Sequence, residues 1–107
     1  MTFDTPALTG GAGTGRCLIN VTPDGQRTMC TFLGAANQLA PEDVDLAQVA
    51  DSAIVYLEGY LFDRPEAKQA FVKAATVARQ AGRAVALSLS DPFCVDRHRG
   101  DFRDLVN

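Results

Sequence analysis

Apolar residues gather in two β-prone runs early in the chain and recur with a helical period later. The runs Arg16-Cys-Leu-Ile-Asn-Val-Thr22 and Arg27-Thr-Met-Cys-Thr-Phe-Leu33 are rich in β-prone side chains and are joined by Pro23-Asp24-Gly25-Gln26. Proline presets φ for a turn, aspartate bonds its own backbone and glycine takes the positive φ that ends it, so the segment predicts a β-hairpin. Alternation puts Arg27, Met29, Thr31 and Leu33 on one face of the second strand and Thr28, Cys30 and Phe32 on the other. Neither face is wholly polar. The pair therefore lies on a core or covers something.

After the connector Gly34-Ala-Ala-Asn37, residues Pro41 to Ala50 read as helix in short pieces, with proline at the start and acids in the first turn. Ala53-Ile-Val-Tyr-Leu-Glu58 is a continuous apolar run of strand length, as expected for a strand buried on both faces. From Pro65 to Ala81 apolar residues recur at Ala67, Ala70, Phe71, Ala74, Val77, Ala78 and Ala81, with Gly82 placed to cap the helix they predict. Ala84-Val-Ala-Leu-Ser-Leu89 reads as a second buried strand. Strand, helix and strand make a right-handed parallel βαβ unit. Ser90 to Val106 reads as a loop and a terminal helix of mixed charge. The expected class is α/β. Two parallel strands leave both sheet edges unpaired and a lone hairpin is marginal in water, so the chain reads as part of something larger or as a unit that assembles with copies of itself.

Composition narrows the classes of function. A chain of 107 residues, 47% hydrophobic and 21% charged, has room for one core. Its net charge of -3 offers nothing to a phosphate backbone, which argues against nucleic acid as a partner. No apolar stretch reaches 18 residues and the first twenty lack a basic and then apolar leader, so neither a membrane nor secretion is expected. Cys17, Cys30 and Cys94 are odd in number and lack C-x-x-C spacing; they read as reduced, buried thiols of a cytoplasmic protein, and no residue is assigned to a metal.

Ligands of open parallel sheets bind outside the carboxyl ends of the strands. That rule selects Gly59-Tyr60-Leu61-Phe62-Asp63 and Ser90-Asp91-Pro92-Phe93. Tyr60 either lays its ring over a flat ligand or packs, with Phe62, on the helix from Pro65. Arg27 either pairs across the hairpin or reaches a ligand phosphate from an otherwise apolar face. The glycines from Gly10 to Gly15 lack the G-x-G-x-x-G spacing and lead into a β-run, so they read as hinge or linker, not as a phosphate loop. His98, between Arg97 and Arg99, reads as part of a solvated face, and Cys30 and Cys94 as small apolar fillers.

Thr14-Gly15-Arg16-Cys17 leading into Val21-Thr-Pro-Asp-Gly-Gln-Arg-Thr-Met29, then Leu33-Gly-Ala-Ala36, Val55-Tyr-Leu-Glu-Gly-Tyr-Leu61, Ala78-Arg-Gln-Ala-Gly82 and Leu87-Ser-Leu-Ser-Asp-Pro-Phe93, resembles the middle of the ribokinase-like (PfkB) sugar and nucleoside kinases. The likeness runs from about Phe3 to Val106. It implies a ribokinase-like fold in which a small β-sheet lid closes over substrate held against a large α/β domain, and a phosphoryl group passes from ATP to a sugar hydroxyl. Residues 1–37 would then be glycine-rich loop and lid hairpin, and residues 38–107 the start of the large Rossmann-like domain. Ser-Asp-Pro-Phe together with Glu-Gly-Tyr-Leu is similar to the adenosine-kinase-like branch; the Asp-x-Asn pattern of many sugar kinases is absent.

On that resemblance Arg27 is the lid arginine that approaches the phosphates, Met29, Thr31 and Leu33 face the substrate, and Tyr60 packs on its base or sugar. ATP and Mg2+ are implied for the parent enzyme, neither bound tightly by this chain alone. The family's Gly-Ala-Gly-Asp signature with the catalytic base does not occur in the sequence. The chain is thus expected to be a central fragment, inactive by itself, whose partners are a sugar or nucleoside and either the remainder of the kinase or further copies. The alternative is a truncated, non-enzymatic relic that binds a ligand or self-associates.

Overall fold

The computed structural model describes residues 4–106; Phe3, where the family likeness starts, lies outside them. Strands β1 (Arg16–Val21) and β2 (Arg27–Phe32) form the expected antiparallel hairpin, paired from Arg16 opposite Phe32 to Val21 opposite Arg27. The turn closes through Thr22 N–H to Gln26 O and Gly25 N–H to Thr22 O, both 2.9 Å, while the Thr22 hydroxyl bonds Asp24. Every residue of both strands is exposed, Leu18 at 73% and Val21 at 66%. The described residues cover neither face. Two cysteines depart from expectation for that reason: Cys17 and Cys30 are exposed on the hairpin, and only Cys94 is buried.

The two ends of the hairpin cross at Gly34. Its φ is +57°, and a Cβ there would stand 2.2 Å from Gly13 O and 2.9 Å from Gly15 N. Only glycine fits a left-handed backbone pressed this closely on another chain segment. Ala35 N–H donates to Gly13 O at 2.9 Å beside it. The glycine-rich segment is thereby held against the residues that leave β2.

Residues 41–51 form two pieces, a 3-10 turn at Pro41–Asp43 and helix α1 (Leu46–Asp51). The acids act as caps. Asp43 accepts from Ala40 N–H at 2.9 Å, and Asp45 accepts from the N–H groups of Ala47 and Gln48 at 2.9 and 3.1 Å.

Strands β3 (Ile54–Glu58) and β4 (Ala84–Ser88) pair in parallel, Ile54 opposite Ala84 through Glu58 opposite Ser88, with α2 (Pro65–Gln80) between them in sequence. Helix α2 buries Ala67, Ala70, Phe71, Ala74, Ala75 and Ala78, one face at helical spacing. It ends at Gly82, where Arg83 N–H reaches Ala78 O at 2.8 Å. Helix α3 (Pro92–Val106) follows, broken at His98.

The core gathers Leu57, Phe62, Phe71, Ala74, Ala75, Cys94 and Phe102, with Val55, Val85 and Leu87 against it. The alanines let α2 approach closely and contribute little area. The three phenylalanines supply most of the burial, each worth about 1.5–3 kcal/mol. Two expectations are corrected here. The β3 and β4 strands are not buried on both faces, because every packed helix joins the one cluster on the Val55 and Leu57 side. Ile54 at 62% and Tyr56 at 65% exposure lie on the bare face. Nor is His98 on a solvated face: its side chain is 16% exposed, edge-on to Phe62 and Phe102, with Nε2 2.6 Å from Asp63. The aspartate sits 35 residues away in sequence, which helix patterning has no means of seeing.

Candidate functional site

The two loops chosen by the strand-end rule meet. Gly59 follows β3 and packs so closely on the end of β4 that a Cβ would stand 2.7 Å from Ser88 O. Residues Gly59–Asp63 wind as a 3-10 turn that splits its two aromatics. Phe62 goes inward, 3% exposed and edge-on to the Phe71 ring at 5.2 Å between centroids. Tyr60 goes outward, 49% exposed, and its hydroxyl donates to Asp91 Oδ2 at 2.8 Å. Of the two readings of this segment, packing on the helix describes Phe62 alone.

Asp91 serves two elements at once. Its Oδ1 accepts from Cys94 N–H at 2.7 Å, capping α3, while Oδ2 holds Tyr60. These bonds, the backbone one first, keep its carboxyl below the ordinary carboxylate range. The same contact raises the Tyr60 phenol, since losing its proton beside a carboxylate is unfavourable. Glu58 accepts hydroxyl bonds from Ser90, Ser88 and Tyr56, and the Ser90 bond above all holds its carboxyl low. The Cys94 thiol, raised by burial, donates to Gly59 O at 3.3 Å and locks the two loops from beneath.

The strand-end rule selected the loop that holds Ser90 and Asp91 without giving either residue a role, and it did not select Glu58. A signal existed for Asp91, because aspartate directly before proline is a helix start. None existed for Ser90, whose φ of +68° is visible only in the structure.

The hairpin residues are placed differently. Arg27, Met29 and Thr31 share a face with Cys17, Ile19 and Val21 across the register. The Arg27 guanidinium makes no hydrogen bond or ion pair among the described residues, so a cross-strand partner is not what occupies it. Thr31 and Leu33 line a cavity of about 430 Å³ with Gly34, Asn37, Gln38 and Arg64. Tyr60, Arg27 and Met29 do not line that cavity. The sequence-chosen residues therefore form two groups, one on the hairpin and one at the strand ends.

Among the described residues no group of three His, Cys, Asp or Glu side chains is placed to hold a metal ion. Among the same residues no helix is long and apolar enough to cross a membrane.

A family profile described as pfkB family carbohydrate kinase matches residues 6–107. Among solved structures, the chain is similar to adenosine kinase from Sinorhizobium meliloti, with 50% identity and a TM-score of 0.89 over 96% of this chain and 32% of that one. It is similar to a "probable sugar kinase protein" from Rhizobium etli CFN 42, with 53% identity and a TM-score of 0.78 over 85% of this chain and 28% of that one. Anopheles gambiae adenosine kinase, solved with P1,P4-di(adenosine-5) tetraphosphate, matches at 26% identity and a TM-score of 0.75, covering 91% of this chain and 29% of its own. The chain thus spans about a third of the length of these structures. No curated protein matches it.

Proposed function

The chain belongs to the pfkB family of carbohydrate kinases, and from that membership we propose that it serves an ATP-dependent kinase that moves the γ-phosphoryl group onto a hydroxyl of a nucleoside or sugar. The observation that carries the reading is the exposed apolar face of the hairpin, which ends in a cation that has no ion-pair partner among the described residues. Ile19, Val21 and Met29 are each more than half exposed, with Arg27 beside them. Such a face suits a cover that shields a substrate from water and presents a planar fork of donors to a phosphate. The strand-end loops supply the opposing surface, with the Tyr60 ring held by Asp91.

Chemistry is divided accordingly. Phosphoryl transfer depends on positioning and on charge stabilisation in line with the acceptor oxygen. This chain's residues bind, orient and exclude water; no general base is assigned to it, since the Gly-Ala-Gly-Asp signature is absent from its sequence. ATP enters as the second substrate, with Arg27 reaching its phosphates. The bare faces of the hairpin and of β3 and β4 also favour a second reading, in which the chain self-associates without catalysis. A coupled assay of ADP release separates the two. The full-length kinase carrying this chain should turn over adenosine or ribose with ATP and Mg2+, and failure with nucleosides and sugars alike overturns the first reading.

A further inference from the structure

Glu58 ends β3 with both carboxylate oxygens engaged. Oε1 accepts from Ser88 Oγ at 3.1 Å and from Ser90 Oγ, and Oε2 accepts from Tyr56 OH at 3.2 Å. Among these partners Ser90 stands apart. At φ +68° it is the one non-glycine residue in the left-handed region among the described residues. L-residues occupy that region at a cost, so something has to hold Ser90 there. The Glu58 carboxylate grips its hydroxyl, and Ser90 N–H is taken by Ser88 Oγ at 3.1 Å. The next residue is Asp91, and the turn at Ser90 sends its carboxylate back toward Tyr60. A tyrosine half exposed has two side-chain torsions free until its hydroxyl is fixed.

We propose that Glu58 is a positioning residue: by holding Ser90 in its left-handed conformation it aims Asp91 at Tyr60 and so sets the orientation of the Tyr60 ring at the strand ends. This rests on the reading of Tyr60 as substrate-facing, but the ring's placement can be measured without any substrate. A ring fixed in advance contributes to affinity, because ordering it no longer opposes binding.

The test uses a property of the composition. The chain has two tyrosines and no tryptophan, so Tyr56→Phe leaves Tyr60 as the single phenol and alkaline absorbance titrates it alone. In that background Tyr60 should ionise above the ordinary phenol value of about 10. Glu58→Ala and Ser90→Ala should each bring it back toward about 10. Ser90→Gly should leave it high, because glycine holds the turn without a hydroxyl. The decisive variant is Glu58→Ala combined with Ser90→Gly, which should restore the high value. A carboxylate that merely stabilises the fold gives no such rescue. Glu58→Gln, which keeps the shape but has one neutral acceptor oxygen and an NH2 donor in place of the other, serves if the alanine variant does not fold and should move the titration the same way. An unmoved Tyr60 in the Glu58 variants, or a double variant that stays low, overturns the proposal. In the full-length kinase, Glu58→Ala should raise KM for adenosine roughly fivefold with kcat kept, and Ser90→Gly should reverse it. If the titration behaves as expected while KM stays flat, Tyr60 is oriented but does not face the substrate, and it is the functional reading that fails.

Discussion

His98 Nε2 stands 2.6 Å from Asp63 Oδ1, and Arg97 grips both oxygens of the same carboxylate at 3.0 Å. Asp63 closes the turn after β3 and His98 marks the break in α3. One carboxylate therefore ties the start of α2 to the middle of α3, above the Phe62 and Phe102 rings.

That tie predicts an acid-sensitive fold. Arg97 first and His98 second hold the Asp63 carboxyl below its ordinary range. A carboxyl depressed in the folded state contributes stability that is present above its unfolded value, about 3.9, and lost as pH falls through the lower folded value. Urea midpoints should fall as pH drops below about 4, and Asp63→Asn should flatten that slope. With the side chain 42% exposed, the loss stays near 1 kcal/mol or less. An unchanged acid slope in the variant would remove Asp63 from the account.

Gly34→Ala should be severe. The methyl group would collide with Gly13 O at a left-handed φ, and a loss above about 2 kcal/mol in urea unfolding is expected. Gly13→Ala, where a Cβ meets nothing within 4 Å, is the matched control and should change little.

Arg27→Ala in the full-length kinase should lower kcat more than it raises KM. A cation at the phosphates helps most while charge is redistributing between donor and acceptor. Lysine should rescue in part, lacking the planar fork. A pure KM effect would place Arg27 in ground-state binding.

Tyr60→Phe and Tyr60→Ala should separate ring from hydroxyl. Because the hydroxyl is already committed to Asp91, Phe should weaken adenosine binding only about fivefold, through a looser ring. Ala should weaken it clearly more than Phe, by up to roughly 150-fold, the upper end of the scale of base stacking on an aromatic. Equal losses from the two variants, measured by calorimetry, would show that the hydroxyl and not the ring makes the contact.

The isolated chain should self-associate. Leu18, Val21, Ile54 and Tyr56 are all more than 60% exposed, and two short sheets with open edges invite pairing. Sedimentation should give species above 11.4 kDa; a clean monomer with one sharp thermal transition would count against it.

The elements were legible because their signals are local. Pro23 to Gln26 announces the hairpin turn, the Ala67 to Ala78 spacing announces α2, and Gly82 its end. Burial was less legible. The apolar run Ala53 to Leu57 looks the same whether one face of a strand is covered or two, so the exposure of Ile54 and Tyr56 had no signature. At the strand ends, the rule picked out two loops that the structure brings into contact through Tyr60 and Asp91. It could not find the contacts of Glu58 with Ser90 or of Asp63 with His98, because each joins residues more than thirty positions apart. Side-chain pairing across that distance has no periodicity to betray it.

The Gly13 and Gly34 crossing gives the hairpin a fulcrum. Both of its ends leave from one point, so a displacement of the pair relative to that crossing reduces to a rotation, with the strands as a lever arm. Leu33 sits beside the fulcrum and Arg27 a full strand away. Six residues of strand reach about 20 Å, so a tilt of about 10° would carry Arg27 about 3.5 Å while Leu33 hardly shifts. A small tilt would therefore move the guanidinium far more than the residues beside the crossing.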